Sequence, residues 1–240
     1  IRITATAFPS TGGARGPRGS VISQPGAVAG AGVCAERSPV TTDSAARPTT
    51  ARSEGGSRST TAYRALENDL RAAIGGEVRF DAGSRAMWSA DASNYRGVPI
   101  GVICPRDAAD VEAAVAVCRT HDVPVLPVGS RTSIAGQAVN TAVAMDFRTH
   151  MDAILSVDPD ARTATVQPGA VCDAVRDAGK PHGLTFGPDP STHNRCSIGG
   201  MIGNNACGSH SVAWGKTVDN VRELEVLTYR GERIVLGGDG

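Results

Sequence analysis

Two stretches of the chain bring together residue types suited to holding a charged, ring-bearing ligand. The first is Gly129-Ser130-Arg131-Thr132-Ser133-Ile134-Ala135-Gly136-Gln137. Its glycines let the backbone approach a ligand closely. Its hydroxyls and successive N–H groups can form an anion nest, and Arg131 adds a cation. The loop is not Gly-x-Gly-x-x-Gly, and the chain has no Gly-Lys-Ser/Thr, so neither a nicotinamide Rossmann fingerprint nor a P-loop is supported. An ordinary surface turn is the plainer reading. The second stretch runs from Gly187 to Ser211, "GPDPSTHNRCSIGGMIGNNACGSHS". Gly199, Gly200, Gly203 and Gly208 supply bare backbone, while Asn204 and Asn205 can donate and accept at once. That combination suits the edge of a heteroaromatic ring or a neighbouring pyrophosphate. Ile198, Met201 and Ile202 read as apolar anchors, and a tight structural turn is the alternative. Two such loops, separated by a hairpin and a helix, favour one extended ligand bridging two subdomains.

Groups for acid–base or metal chemistry are less telling. His182 precedes the second stretch and His193 and His210 lie within it, but each is better explained as a loop or hydrogen-bonding histidine than as a base. His121 sits where a helix should end, a favourable place for an imidazole beside the dipole. The cysteines are Cys34, Cys104, Cys118, Cys172, Cys196 and Cys207. None form Cys-x-x-Cys and no Cys/His cluster has zinc spacing, so no metal site is expected. Scattered single cysteines fit a reducing compartment and behave as small core residues. No catalytic residue is assigned.

The elements that must hold these loops follow from periodicity. Tyr63, Leu66, Leu70 and Ile74 share a helical face, with Gly75-Gly76 as the stop. "SRAMWSADASNY" is expected to be a short helix and loop. "PIGVICP" reads as a strand buried on both faces. Asp107 is a fitting N-cap for a helix burying Val111, Ala114, Val115 and Cys118. "VPVLPV" and "AVAMDF" are further strands, the first joined to "PIGVICP" by a crossover helix, which implies a parallel unit. "AILSV" and "TATVQ" flank the turn "DPDAR" as an antiparallel hairpin. A helix follows with Val171, Ala174, Val175 and Ala178 expected on its buried face. "VRELEVLT" and "RIVL" form a closing hairpin. The fold class is α+β, a small parallel βαβ unit plus a mainly antiparallel sheet.

The chain has 240 residues, with 24 basic and 24 acidic side chains and no net charge. That balance implies no broad basic surface for nucleic acid. No run of apolar residues is long enough to span a bilayer. Residues 1–58 are rich in Gly, Ala, Ser, Thr, Pro and Arg and read as a disordered tail without period. Their arginine excess resembles that of transit peptides, while "VISQPGAVAGAGVCA" is too interrupted by Gln24, Pro25 and glycines to be a signal-peptide core. A mis-assigned start or a plain tail is preferred, and a cytoplasmic place, with the membrane periphery kept open, is expected. Residues 59–94 are taken as a helical lead-in and 95–240 as the ligand-binding domain. The chain opens on Ile1 and stops after an expected strand, so it reads as a piece of a longer protein, truncated at its C-terminus.

"PVGSRTSIAGQAV" and "FGPDPSTHNRCSIGGMIGNNACGSHSVAWGKTVDNV" together resemble the two cofactor loops of FAD-linked oxidases of the vanillyl-alcohol-oxidase superfamily. The likeness runs from about Tyr63 to the end. The nearest likeness is to the D-lactate/glycolate dehydrogenase branch, in particular its large members with a C-terminal iron–sulfur domain. The resemblance implies a two-subdomain, PCMH-type FAD-binding domain with FAD extended between its parts. By that resemblance, Val128, Gly129, Ser130, Arg131, Thr132, Ser133, Gly136 and Gln137 wrap the pyrophosphate. Pro188, Asp189, Ser197, Gly199, Gly200, Gly203, Asn204, Ala206 and Gly208 line the flavin and the rest of the phosphate bridge, and Val226 meets the adenine end.

Two positions depart from that family's pattern: Val128 stands where Arg is usual, and Arg131 where Gly is usual. A side chain at 131 either obstructs the loop or places its guanidinium on a phosphate oxygen. Thr132 and Ser133 stand where some members carry a flavin-linked histidine, which implies non-covalent FAD. The implied activity is hydride transfer from a 2-hydroxy acid such as D-lactate or glycolate to flavin, with an electron acceptor as second partner. An iron–sulfur cluster would belong to a missing C-terminal domain. Two other readings remain: a truncated FAD-binding module without catalysis, and a flavin reductase of cell-wall precursor synthesis, which the wording of the second loop disfavours.

Overall fold

A computed structural model describes residues 3–9 and 60–238. The chain starts with a strand, β1 (Ile3–Pro9). This corrects the reading of residues 1–58 as wholly without structure. The segment Ile-Thr-Ala-Thr-Ala alternates, with Ile3 and Ala5 buried and Thr4 and Thr6 only partly so, which is the period of a half-buried strand. The rest of that tail lies outside the described residues.

The next part builds a four-stranded sheet. Helix α1 (Thr60–Ala73) leads into β2 (Glu77–Arg79), α2 (Ala82–Met87), β3 (Gly101–Cys104), α3 (Ala108–Thr120), β4 (Val125–Val128) and β5 (Val143–Asp146). The strand order is β2-β3-β5-β4, with β3 and β4 both parallel to β5 and β2 antiparallel to β3. The expected parallel unit is present, with β5 inserted between its strands. Residues 59–94 thus supply an edge strand and a packing helix to this sheet. Leu66, Leu70, Val111, Ala114 and Cys118 from α1 and α3 pack on Ile103, Val143 and Met145. The opposite face carries Val102, Cys104, Ala144, Val128 and Trp88. Burial on both faces is the physical reason β3 and β5 read as unbroken apolar runs. Asp107 caps α3 as expected, its carboxylate accepting from Asp110 N.

The second sheet is antiparallel. It contains β6 (Ile154–Asp158) and β7 (Thr163–Val166), then α4 (Cys172–Gly179), β8 (Leu184–Phe186), α5 (Ile198–Asn204), α6 (Ser211–Trp214), β9 (Val221–Leu227) and β10 (Arg233–Gly237). The order is β10-β9-β1-β7-β6, with β8 pairing the far end of β1. The N-terminal strand is therefore the centre of this sheet. Its core joins Ile3, Ala5, Val166, Val175, Phe186, Ile198 and Met201. Of the face expected for α4, Val175 is buried, Val171 and Ala178 are partly buried and Ala174 is exposed, while Cys172 and Gly179 join Val175 inside. The thiol of Cys172 takes the core position because free cysteine behaves as a small hydrophobe.

Candidate functional site

Strands β4 and β5 are parallel neighbours, so the chain between them must travel back along the sheet. A dozen or more residues are needed for that return, and residues 129–142 supply it. This return is the first glycine-rich loop. It is braced by the segment after α2: Ala92 N donates to Arg131 O at 3.2 Å, and Ala138 N to the Asp91 carboxylate at 3.3 Å. Gly136 has φ +80° and lies so near the Tyr95 ring that a Cβ would fall 2.8 Å from it. Ser133 Oγ donates to Gln137 Oε1, which closes the loop on itself.

Arg131 sits at φ 55°, where a β-carbon costs about 1 kcal/mol or more. Its guanidinium carbon lies 5.1 Å from the Trp88 ring centroid, and it donates to Met87 O. Trp88 is itself fixed by donating Nε1–H to Asp146 at 2.9 Å. The cation therefore rests on an aromatic face and a carbonyl.

The second stretch is partly helical. Ser197 caps α5, accepting from Gly200 N, and is 1% exposed. Gly199 and Gly200 form the first helical turn, where a loop was expected. Gly199 N donates to Pro168 O at 2.8 Å, and a Cβ at 199 would fall 2.9 Å from that same oxygen. The two stretches meet at one point: a Cβ on Gly129 would stand 2.1 Å from Ser197 Oγ. Bare backbone at 129 is thus required for the approach.

Above this contact opens a cavity of about 800 Å³. From the expected set it is lined by Val128, Gly129, Ser130, Arg131, Thr132, Ser133, Gln137, Ser197, Gly199, Gly200, Gly203, Asn204, Ala206 and Val226. Gly136, Pro188, Asp189 and Gly208 are not in its wall, and Pro190 and Thr192 stand there from the same stretch. Ile3 from β1, Phe147 and Pro168 behind the loops, Cys196, and Leu224 and Leu227 beside Val226 complete an apolar lining. Ile3, Leu224 and Leu227 were missed because strand residues carry no motif and only the sheet order brings them to the cavity; Phe147 and Pro168 lie just past strand ends, and Cys196 read as a core residue of the second stretch.

Three observations fit the cavity to a nucleotide-type ligand. Ser130 Oγ is buried in the wall with no hydrogen-bond partner, an arrangement that otherwise costs about 1–3 kcal/mol. A Cβ on Gly203 would meet nothing within 4 Å, so the helix shows bare backbone to the open space. The volume and the apolar wall with few polar groups match small-molecule sites.

Asp189 has a different task from lining. Its carboxylate accepts from His210 N at 2.9 Å, His210 Nδ1 at 2.5 Å and Ser209 Oγ at 3.1 Å. Burial pushes its pKa up, but the hydrogen bonds from His210 and Ser209 outweigh this and hold it below the ordinary 3.8. A Cβ on Gly208 would lie 2.0 Å from Asp189 O. Together they latch residues 208–210 to residue 189. His210 also stacks on Trp214 at 4.9 Å. His193 Nδ1 is paired with Asp173 at 2.8 Å. Among the described residues no histidine lines the cavity, and no group of three His, Cys, Asp or Glu is placed to hold a metal. No described helix is long and apolar enough to cross a membrane.

Comparison with known proteins agrees with this geometry. The model of the FAD binding domain matches residues 99–237. The chain is 36% identical over 162 residues to D-2-hydroxyglutarate dehydrogenase of Pseudomonas putida, which covers 66% of the chain and 16% of that protein. It is 38% identical over 148 residues to the glycolate oxidase subunit GlcD of Escherichia coli, covering 61% of the chain and 30% of that protein. The chain thus spans under a third of the length of either relative. Among solved structures, alkyldihydroxyacetonephosphate synthase superposes with a TM-score of 0.65 at 21% identity, covering 74% of the chain and 38% of the other. p-Cresol methylhydroxylase superposes with a TM-score of 0.64 at 15% identity, covering 74% and 36%. These two share the fold. A central strand, two loops meeting at Gly129 and Ser197, and a cavity above them are thus a PCMH-type fold, and the chain belongs to the FAD binding domain family.

Proposed function

We propose that this chain is the FAD-holding part of a flavin-dependent dehydrogenase or oxidase of 2-hydroxy acids. The observation that carries the proposal is the buried, unpartnered Ser130 Oγ and the bare backbone of Gly203 in the wall of one cavity. Ser130 and the neighbouring backbone N–H groups would hold the pyrophosphate. Gly199, Gly200, Gly203 and Asn204 would meet the flavin, and Val226 with Leu224 and Ile3 would pack the adenine end. Gly136, Pro188, Asp189 and Gly208 would act from behind, by shaping and latching the loops. Thr132 and Ser133 carry no nucleophilic imidazole, so FAD would be held without a covalent bond. When bound, the flavin supplies the two-electron acceptor that 2-hydroxy-acid oxidation requires.

The substrate class rests on the relatives, which are a D-2-hydroxyglutarate dehydrogenase and a glycolate oxidase subunit. A small hydroxy acid and an electron acceptor are the partners that follow, and any iron–sulfur centre would lie in a further domain. A second reading is a binding module that turns nothing over by itself. It is favoured by the cavity wall, where Arg131 is the basic side chain and is already engaged by Trp88. A base for the hydroxyl proton would then come from another part of the protein. Anaerobic mixing of the FAD-loaded chain with D-lactate, glycolate or D-2-hydroxyglutarate separates the two. Bleaching of the flavin supports an active enzyme, and an unchanged spectrum with FAD retained supports the module.

A further inference from the structure

One sulfur of a buried cysteine pair lies in the cavity wall, and cofactor binding does not require the pair. Cys196 lies in the wall, and Cys172, at the first turn of α4, lies directly behind it with no exposure. Three hydrogen bonds zip their segments together: Ile198 N to Ala170 O at 2.8 Å, Cys172 N to Cys196 O at 3.1 Å, and Asp173 N to His193 O at 3.1 Å. Val171 and Ser197 form an antiparallel bridge, so Cys172 and Cys196 are the adjacent facing pair. Facing residues of an antiparallel pair stand about 4.5–5.5 Å apart at Cα and point to one side, inside the roughly 4.4–6.8 Å range of disulfides.

The chemistry of the two sulfurs differs. The Cys172 thiol donates to Pro188 O at 3.6 Å, and the neighbouring Cys196 sulfur together with burial pushes its pKa up. The Cys172 neighbour in turn pulls the Cys196 thiol down, against the burial that pushes it up. Thr192 and the His193 ring pull it further down, while the Asp173 carboxylate opposes them. One sulfur therefore ionises first, and it is the one that borders open space.

We propose that Cys172 and Cys196 are a redox modification site, closed to a disulfide by hydrogen peroxide that enters through the cavity. The Cys196 thiolate, its proton released to solvent, attacks a peroxide oxygen. The O–O bond breaks, leaving a sulfenic acid and hydroxide. The Cys172 sulfur then attacks the sulfenic sulfur, an S–S bond forms, and water leaves with the Cys172 proton. Both thiols together lose two electrons, and one peroxide is reduced to two waters. Because Ser197, the contact point with Gly129, follows Cys196 directly, the state of this bond acts on the seam between the two cofactor loops.

The test uses the whole chain, incubated with a small excess of hydrogen peroxide. Thiols are then counted after denaturation, and the chain is digested without reductant for mass spectrometry. The expected result is loss of two thiols and a peptide pair joined through Cys172 and Cys196, both restored by dithiothreitol. In Cys172→Ser, Cys196 should instead stop at a sulfenic acid that dimedone traps. The proposal is overturned if Cys172 stays reduced in the parent chain while Cys196 is oxidised, if the disulfides formed run through Cys34 or Cys207, or if dimedone labels no Cys196 in the variant.

Discussion

Ser130, Gly203, Arg131 and Asp189 carry the account at the level of single residues. A side chain at 203 has free room but projects from a helix into the cavity. Gly203→Val should therefore lower FAD affinity at least about tenfold, or ~1.4 kcal/mol, with little change in thermal midpoint; titration with FAD alongside a melting curve checks both. Arg131 gains a stack on Trp88 but stands at a positive φ. The stack is worth about 0.5–1 kcal/mol and the strain about as much. Arg131→Gly should then leave both stability and FAD affinity within a factor of about five, or ~1 kcal/mol. Asp189→Ala should destabilise by about 2 kcal/mol through three lost hydrogen bonds. Because the folded pKa of Asp189 is depressed, its contribution is complete above the unfolded value of 3.8 and is lost as pH falls through the lower folded value. Asp189→Asn should flatten that acid limb of a denaturation profile. Residue types revealed the loops, since hydroxyls, amides and glycines at close spacing are a local signal. They did not separate Ser130, which faces the cavity, from Asp189, which latches a loop; that distinction depends on partners distant in the chain.

Elements were legible where burial repeats. Leu66 and Leu70 on α1 with Ile74 just past its end, the α3 face and the two-sided burial of β3 and β5 follow from period alone. The short strands β2 and β8, three residues each, are too brief to show one. Strand β1 was hidden by its surroundings: five alternating residues precede a long Gly/Ser/Pro-rich run, and composition averaged over the segment masks them. Its place between β7 and β9 gives it outsized weight. Removing residues 1–9 should expose both flanking strands and cost the second sheet its cooperative unfolding, seen as early proteolysis between residues 150 and 238. Resistance equal to that of the parent chain would count against β1 as the central strand. The length of the first loop has an element-level cause too. Parallel neighbours β4 and β5 demand a long return, and that return is where the cavity-lining hydroxyls of Ser130, Thr132 and Ser133 sit.

Among the described residues the two sheets meet through glycine backbone at Gly129, beside an apolar cavity of about 800 Å³ with sparse polar groups. That economy suits holding a large cofactor more than activating a substrate, and it matches a chain spanning 16% of one relative and 30% of another. The central claim is that this cavity holds FAD reversibly. The direct measurement is the flavin content of the purified chain after saturation with FAD and removal of excess, read in the supernatant after acid precipitation. About one FAD per chain, all of it soluble, is expected from one cavity and no covalent link. Protein that retains no flavin, or flavin that stays with the precipitate, would contradict the account.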